Sequence, residues 1–257
     1  MAVATPARVG LGITEEPRGE TLSARDFRVW RLFTWAGVVY IVGELGSFAG
    51  VARFVPPPRE NWSAEHVAAF FRDHEVGIRL GMEGVLGFAL CYALLSYSLF
   101  RLMERIEGRR GFLSWAQLLG GVVTALITMA CAVFWLAASF RAGSRDPRDI
   151  QALNDVGWMV FDMTVMATVF QYVAFGVVCL LDSRPRPLLP RWLGYLSFWA
   201  AFTFFAVFFM PSFKSGPLSW QGLVTFYVAL GAFFVWIAAV IPCSLNAITA
   251  IEREQSG

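Results

Sequence analysis

The sequence predicts an all-α membrane protein, a polytopic bundle of six transmembrane helices with one further helix lying in the outer interface. Three observations predict it. Of 257 residues, 57% are apolar and only 16% charged, with mean hydropathy +0.57; soluble domains run at about 45–50% and about 25%. The apolar residues gather into six runs, each near the roughly 20 helical residues needed to cross a hydrocarbon core of about 30 Å. Basic residues collect between the runs. The transmembrane domain occupies residues 25–250, between a disordered tail (1–24) and a short one (251–257), which leaves no room for a soluble catalytic domain.

The tail holds Pro, Gly, Thr and mixed charges with no apolar period, a composition that cannot bury enough surface to fold. The first span, about 32–54, carries Tyr40, Glu44 and Ser47 at i−4, i and i+3, on one face. Gly37, Gly43, Gly46 and Gly50 are expected to let neighbouring helices approach. Pro56, Pro57 and Pro58 end that span, because proline lacks the donor and clashes with the preceding turn. Ser63 then caps a short helix, with Trp62 and Val67 at the hydrophobic-staple positions. Val67, Phe70, Phe71, His74 and Ile78 make an apolar stripe, and Glu65, Arg72, Asp73 and Glu75 surround it. This is the pattern of an interfacial helix.

The second span, about 80–100, contains Glu83 and leads into a basic loop with Arg101, Arg105, Arg109 and Arg110. The third, about 115–140, places Gln117, Gly121, Thr124, Thr128 and Cys131 along one stripe. A polar loop from Arg141 to Asp155 precedes the fourth span, about 158–181, which contains Asp162 and Gln171. The fifth, about 192–210, is crowded with aromatics, Phe202 and Phe205 among them. The sixth runs from about 220 to 245 and holds Pro242. Four cysteines, one in each of four apolar runs, read as free buried thiols rather than a disulfide framework.

Charge orients the spans. Thirteen of the 21 basic residues lie on one side, in the tails and in the 101–110 and 184–191 loops; the eight opposite them are offset by seven acids. The positive-inside rule makes both termini cytoplasmic in a multi-pass cell-membrane protein. A cysteine placed at Ser144 should therefore react with an impermeant probe on intact cells, and one at Glu107 should not. Labelling at both positions, or only at Glu107, contradicts this orientation.

Three acids inside apolar runs are the candidate chemistry: Glu44, Glu83 and Asp162. An ionised side chain at mid-membrane costs at least about 2.5–3.5 kcal/mol, and grouping such residues in a polar pocket lowers that cost. The expectation is one shared cavity opening to the outer leaflet. Tyr40, Glu44, His74, Glu83, Asp162, Phe202 and Phe205 would bind its ligand, and the three acids are the catalytic candidates if it has a reaction. The plainer reading has the acids bonded to Tyr40, Ser47, Thr124 or Thr128, holding helices in register. No metal or other cofactor is expected, since two histidines and scattered acids do not match metal-ligand spacing. Met159, Met163 and Met166 read as packing. A net charge of +2 with no basic stripe excludes a nucleic-acid partner.

The segments PPPRENWSAEHVAAFFR (56–72), LNDVGW (153–158), PRWLGY (190–195) and KSGPLSWQGL (214–223) resemble those of uncharacterised bacterial six-helix membrane proteins. That resemblance spans most of the chain and implies the fold, with no activity attached. Acids in apolar helices and abundant aromatics are also similar to the integral membrane terpene cyclases, although no motif is shared and six spans replace seven. Three functions follow. The leading one is an integral membrane protein that binds a lipid or hydrophobic small molecule, or an accessory subunit of that kind. A membrane enzyme using a protonated carboxyl on an isoprenoid or steroid-like substrate is the second, and a proton-linked transporter the third.

Overall fold

The computed structural model describes residues 21–108 and 111–256; the expected disordered tail up to residue 20, and Arg109 and Arg110, lie outside the described residues. Helix α1 (Ala24–Leu45) opens on a reciprocal cap in which the Ser23 hydroxyl accepts from Asp26 N and the Asp26 carboxylate accepts from Ser23 N. It continues as a π-helical segment, Gly46–Val51. Helix α2 (Ala64–Asp73) is capped by Ser63 as expected, and α3 follows over Glu75–Glu107. Then come α4 (Phe112–Phe140), α5 (Pro147–Met163), α6 (Met166–Leu181) and α7 (Arg191–Val207). A second π-helical segment, Leu223–Val228, leads into α8 (Ala229–Ser256).

Six of these units are long and apolar enough to cross a membrane: α1 with its π segment, α3, α4, α5 with α6, α7 with the short turn after it, and the second π segment with α8. The short α2 is not among them. Only 39–50% of each span's most apolar window is buried, and the remainder exposes residues such as Leu32, Val42, Leu80, Phe112 and Phe170. Apolar surface on that scale needs a hydrocarbon surround. At 1.5 Å per residue α3 is about 50 Å long, so it extends beyond a core of about 30 Å.

The spans alternate in direction, which places the starts of α1 and the end of α8 together. Arg31 pairs with Glu252 at 2.5 Å and Leu22 N donates to Gln255 Oε1 at 3.2 Å. This end is called here the termini end, and the opposite one, carrying α2 and residues 52–63 and 208–222, the loop end. At the termini end Glu107 caps α4 by accepting from Leu113 N and Ser114 N. Asp182 folds the next connection by accepting from Arg184 N and Leu188 N.

Several boundaries differ from expectation. The second span begins at Glu75, because the chain breaks at His74 and Ile78 of the stripe belongs to α3. Most of the polar 141–155 segment is helix: Asp146 caps α5, with its carboxylate accepting from Arg148 N and Pro147 in the first turn. Proline is pre-organised for that position. Residues 251–256, expected as tail, are the last turns of α8, with Ile251 buried. Gly37 and Gly43 do face close neighbours, Ile241 and Leu95 for the first and Phe88 for the second. Gly46 and Gly50 instead lie on an outward face with nothing within 4 Å.

Two large apolar clusters fill most of the bundle, with a small third one at Val165, Val207 and Ala229. The termini half is built around Tyr92, Leu99, Tyr172, Phe175, Trp236 and Ile248. The loop half is built around Phe48, Phe54, Phe71, Trp135, Trp158 and Trp220. Small residues set the helix spacing between them. A Cβ on Gly120 of α4 would sit 2.7 Å from the Ala167 carbonyl oxygen of α6, and one on Gly194 of α7 would sit 3.0 Å from that of Gly176.

Candidate functional site

Where the two clusters meet, a partly open cavity of about 90 Å³ lies among α1, α4, the α5–α6 junction, α7 and α8. Two acids from different spans line it. Glu44, on α1, is 7% exposed and Asp162, on α5, is 5% exposed; Glu44 Oε2 and Asp162 Oδ2 have no hydrogen-bond partner among the described residues. Such a group costs about 1–3 kcal/mol when neutral and more when charged. The Tyr40 hydroxyl-bearing ring and five threonines, Thr124, Thr128, Thr164, Thr168 and Thr225, share the wall with Phe48, Phe161, Phe204, Phe233 and Phe234.

The backbone is irregular where these acids sit. The α-helical part of α1 gives way to π geometry two residues after Glu44, with Ala52 N donating to Ser47 O at 2.9 Å. Two residues after Asp162 the fourth span breaks at Thr164–Val165. There the Thr164 hydroxyl donates to Val160 O at 2.6 Å, a back-bond that bends helices. The second π segment supplies Thr225. Three irregularities thus surround one cavity, and π segments are frequent at functional sites.

An aromatic stack adjoins the cavity through two of its lining rings, Phe48 and Phe161, which both meet Trp158. Trp158, one turn before Asp162 and fully buried, lies between Phe54 and Trp220, with centroids at 6.2 and 5.9 Å and planes within 23° and 16°. Trp135 meets it at 5.0 Å, and Gly157 leaves the room, since a Cβ there would be 2.5 Å from Trp135 Nε1. Three of the segments that resemble other six-helix proteins converge here. Trp220 Nε1 donates to Pro58 O at 2.8 Å, Trp220 N to Glu60 Oε2 at 3.3 Å, and Gln151 Nε2 to Trp62 O at 3.1 Å. Burial pushes the Glu60 carboxyl up to about 7, aided by Asp155 and opposed by the Trp220 N–H and by Lys214. The fourth segment, PRWLGY, starts α7 at the termini end.

Of the residues singled out from the sequence, Tyr40, Glu44 and Asp162 come together on the cavity. Glu83 does not. The buried face of α3 is set by Ile78, Gly81, Met82, Val85 and Ala89, which leaves Glu83 exposed in the outward row with Val76, Leu80 and Leu90. The three-carboxylate cavity is thereby corrected to two. His74 is also elsewhere: it ends α2, with Nδ1 3.0 Å from Phe70 O and its ring 4.8 Å from that of Phe70. Phe202 and Phe205 are 77% and 49% exposed, because α7 buries its small-residue face (Gly194, Ser197, Ala200, Ala201) and turns those rings outward. Phe204 is the α7 ring that reaches the cavity. The unexpected lining residues include Thr164, Thr168 and Thr225. Threonine pairs four apart in two apolar runs, 124/128 and 164/168, were the signal for the first two.

Neither acid is bonded to Tyr40, Ser47, Thr124 or Thr128, the partners a purely structural role would use. Among the described residues, no three His, Cys, Asp or Glu side chains are grouped as a metal site.

Fold and site together define a polytopic helical membrane protein with an intramembrane cavity bearing two carboxyls. The sequence matches the family described as Domain of unknown function (DUF4386) over residues 35–240, most of the chain and all the cavity residues. The chain belongs to the DUF4386 family. No curated protein and no solved structure matches it.

Proposed function

We propose that the protein binds a hydrophobic small molecule or lipid, holding its polar head between Glu44 and Asp162 and its apolar body against the phenylalanine wall. The observation that carries this reading is the pair of buried, unpartnered carboxyl oxygens on one cavity. Concave, mostly apolar sites with a few convergent polar groups are the usual form of ligand pockets. With both termini cytoplasmic, the cavity opens from the outer half of the bilayer.

The test is extraction and mass spectrometry of what co-purifies in mild detergent. The wild type should carry one enriched species, and Glu44→Gln should reduce its occupancy at least about tenfold, the effect of about 1.4 kcal/mol, while remaining monodisperse and helical. Identical profiles contradict the proposal.

A second reading, proton-linked transport, is favoured by the helix irregularities at the site, since discontinuous helices line the central sites of many transporters. It requires the bound species to cross a proteoliposome membrane in response to a pH gradient. Binding without flux leaves the first reading alone.

A further inference from the structure

We propose that the ligand is an amine, a protonated primary or secondary nitrogen on an apolar body; this rests on the binding reading above and names its substrate class. A threonine hydroxyl has one hydrogen to give and two lone pairs to accept with. On this cavity those hydrogens are already committed. Thr124 donates to Gly120 O at 2.8 Å, Thr128 to Thr124 O at 3.0 Å, Thr164 to Val160 O at 2.6 Å, and Thr225 to Ser219 O. The Thr124 and Thr168 hydroxyls are 2.9 Å apart, and with the Thr124 hydrogen on Gly120 O, Thr168 is the donor of that pair. Among the described residues, Tyr40 carries the one other hydroxyl on the lining.

With the two carboxyls ionised, what remains toward the cavity besides the Tyr40 hydroxyl is acceptor: threonine lone pairs and carboxylate oxygens. Among the described residues, no lysine, arginine or histidine lines it to balance them. An incoming group that matches this wall must bring N–H donors and positive charge. An ammonium brings both, and charge-assisted bonds to a carboxylate are roughly twice as strong as neutral ones. The rings of Phe48, Phe161, Phe204 and Phe233 add faces that attract a cation and seat an apolar chain.

Four probes with the same tail separate the head-group chemistry: dodecylamine, dodecyltrimethylammonium, dodecanol and dodecanoate, each titrated against the full chain in nanodiscs at neutral pH and compared with empty nanodiscs. The expected result is saturable binding of dodecylamine at least tenfold tighter than dodecanol. Dodecyltrimethylammonium should fall between them, having charge without N–H donors, and dodecanoate should be weakest. Glu44→Gln with Asp162→Asn should erase the preference for amine over alcohol; each single variant, Glu44→Gln or Asp162→Asn, should reduce it, so the test survives if the double variant fails to fold. Saturable dodecanol or dodecanoate binding as tight as that of dodecylamine overturns the amine assignment and leaves the binding reading standing, because carboxyls that stay protonated are themselves donors. An amine preference unchanged in both single variants overturns it as well. Saturable binding of none of the four overturns both.

Discussion

Trp158→Ala is expected to remove about 3–5 kcal/mol of stability, the range for truncating a large buried aromatic. Trp158 has no exposed surface and touches six other rings, those of Phe48, Phe54, Trp135, Phe161, Trp220 and Phe226. Its indole N–H has no partner among the described residues, so the loss is one of packing and not of a hydrogen bond. Trp158→Phe, which keeps a ring in the stack, should lose less than half as much. Thermal unfolding in detergent measures both. A loss below about 1 kcal/mol for the alanine variant, the level typical of any point mutation, would show that the stack is not what joins the three loop-end segments.

Glu44→Met is expected to act in the opposite direction. In delipidated protein it should stabilise by about 1–3 kcal/mol, because it replaces an unpartnered buried acid with an apolar chain of similar length. The same change should abolish ligand retention. Stability gained where function is lost is the mark of a residue kept for its chemistry. An acid kept for the fold behaves otherwise, and a destabilised Glu44→Met would assign Glu44 to that class. Unfolding curves of the delipidated variant and wild type, compared at one pH, decide between the two.

The spans were legible because run length and charge position are summed over many residues and tolerate local error. The face bearing Tyr40, Glu44 and Ser47 was legible too, since three polar residues at helical spacing in an apolar run leave one geometry. Ser63 announced its helix through the staple around it. Glu83 shows where that reasoning stops. Periodicity defines a face, but an isolated acid has no periodicity, and only its neighbours on α3 reveal that its row points outward. Phe202 and Phe205 were misplaced for a related reason. Among aromatics on every side of a helix, the informative residues are the small ones, and Gly194, Ser197, Ala200 and Ala201 mark the packed face of α7. The break after Asp162 carries neither proline nor glycine. At the break a threonine hydroxyl turns back onto Val160 O, a contact that Thr124 and Thr128 also make inside the unbroken α4, so the residue type alone does not mark the position. The charges between Arg141 and Asp155 suggested a loop and hid the Asp146–Pro147 start of α5, which is a strong helix signal read on its own.

Glu44 and Asp162 are proposed to hold one ligand between them. The most direct measurement is an experimental structure of the protein purified in lipid nanodiscs, with a map good enough to show side chains and bound molecules. The account predicts density in the cavity within about 2.7–3.2 Å of oxygens from both carboxyls, running on along Phe161 and Phe233. A cavity collapsed onto itself, with Glu44 and Asp162 turned to bond the lining threonines, would contradict it.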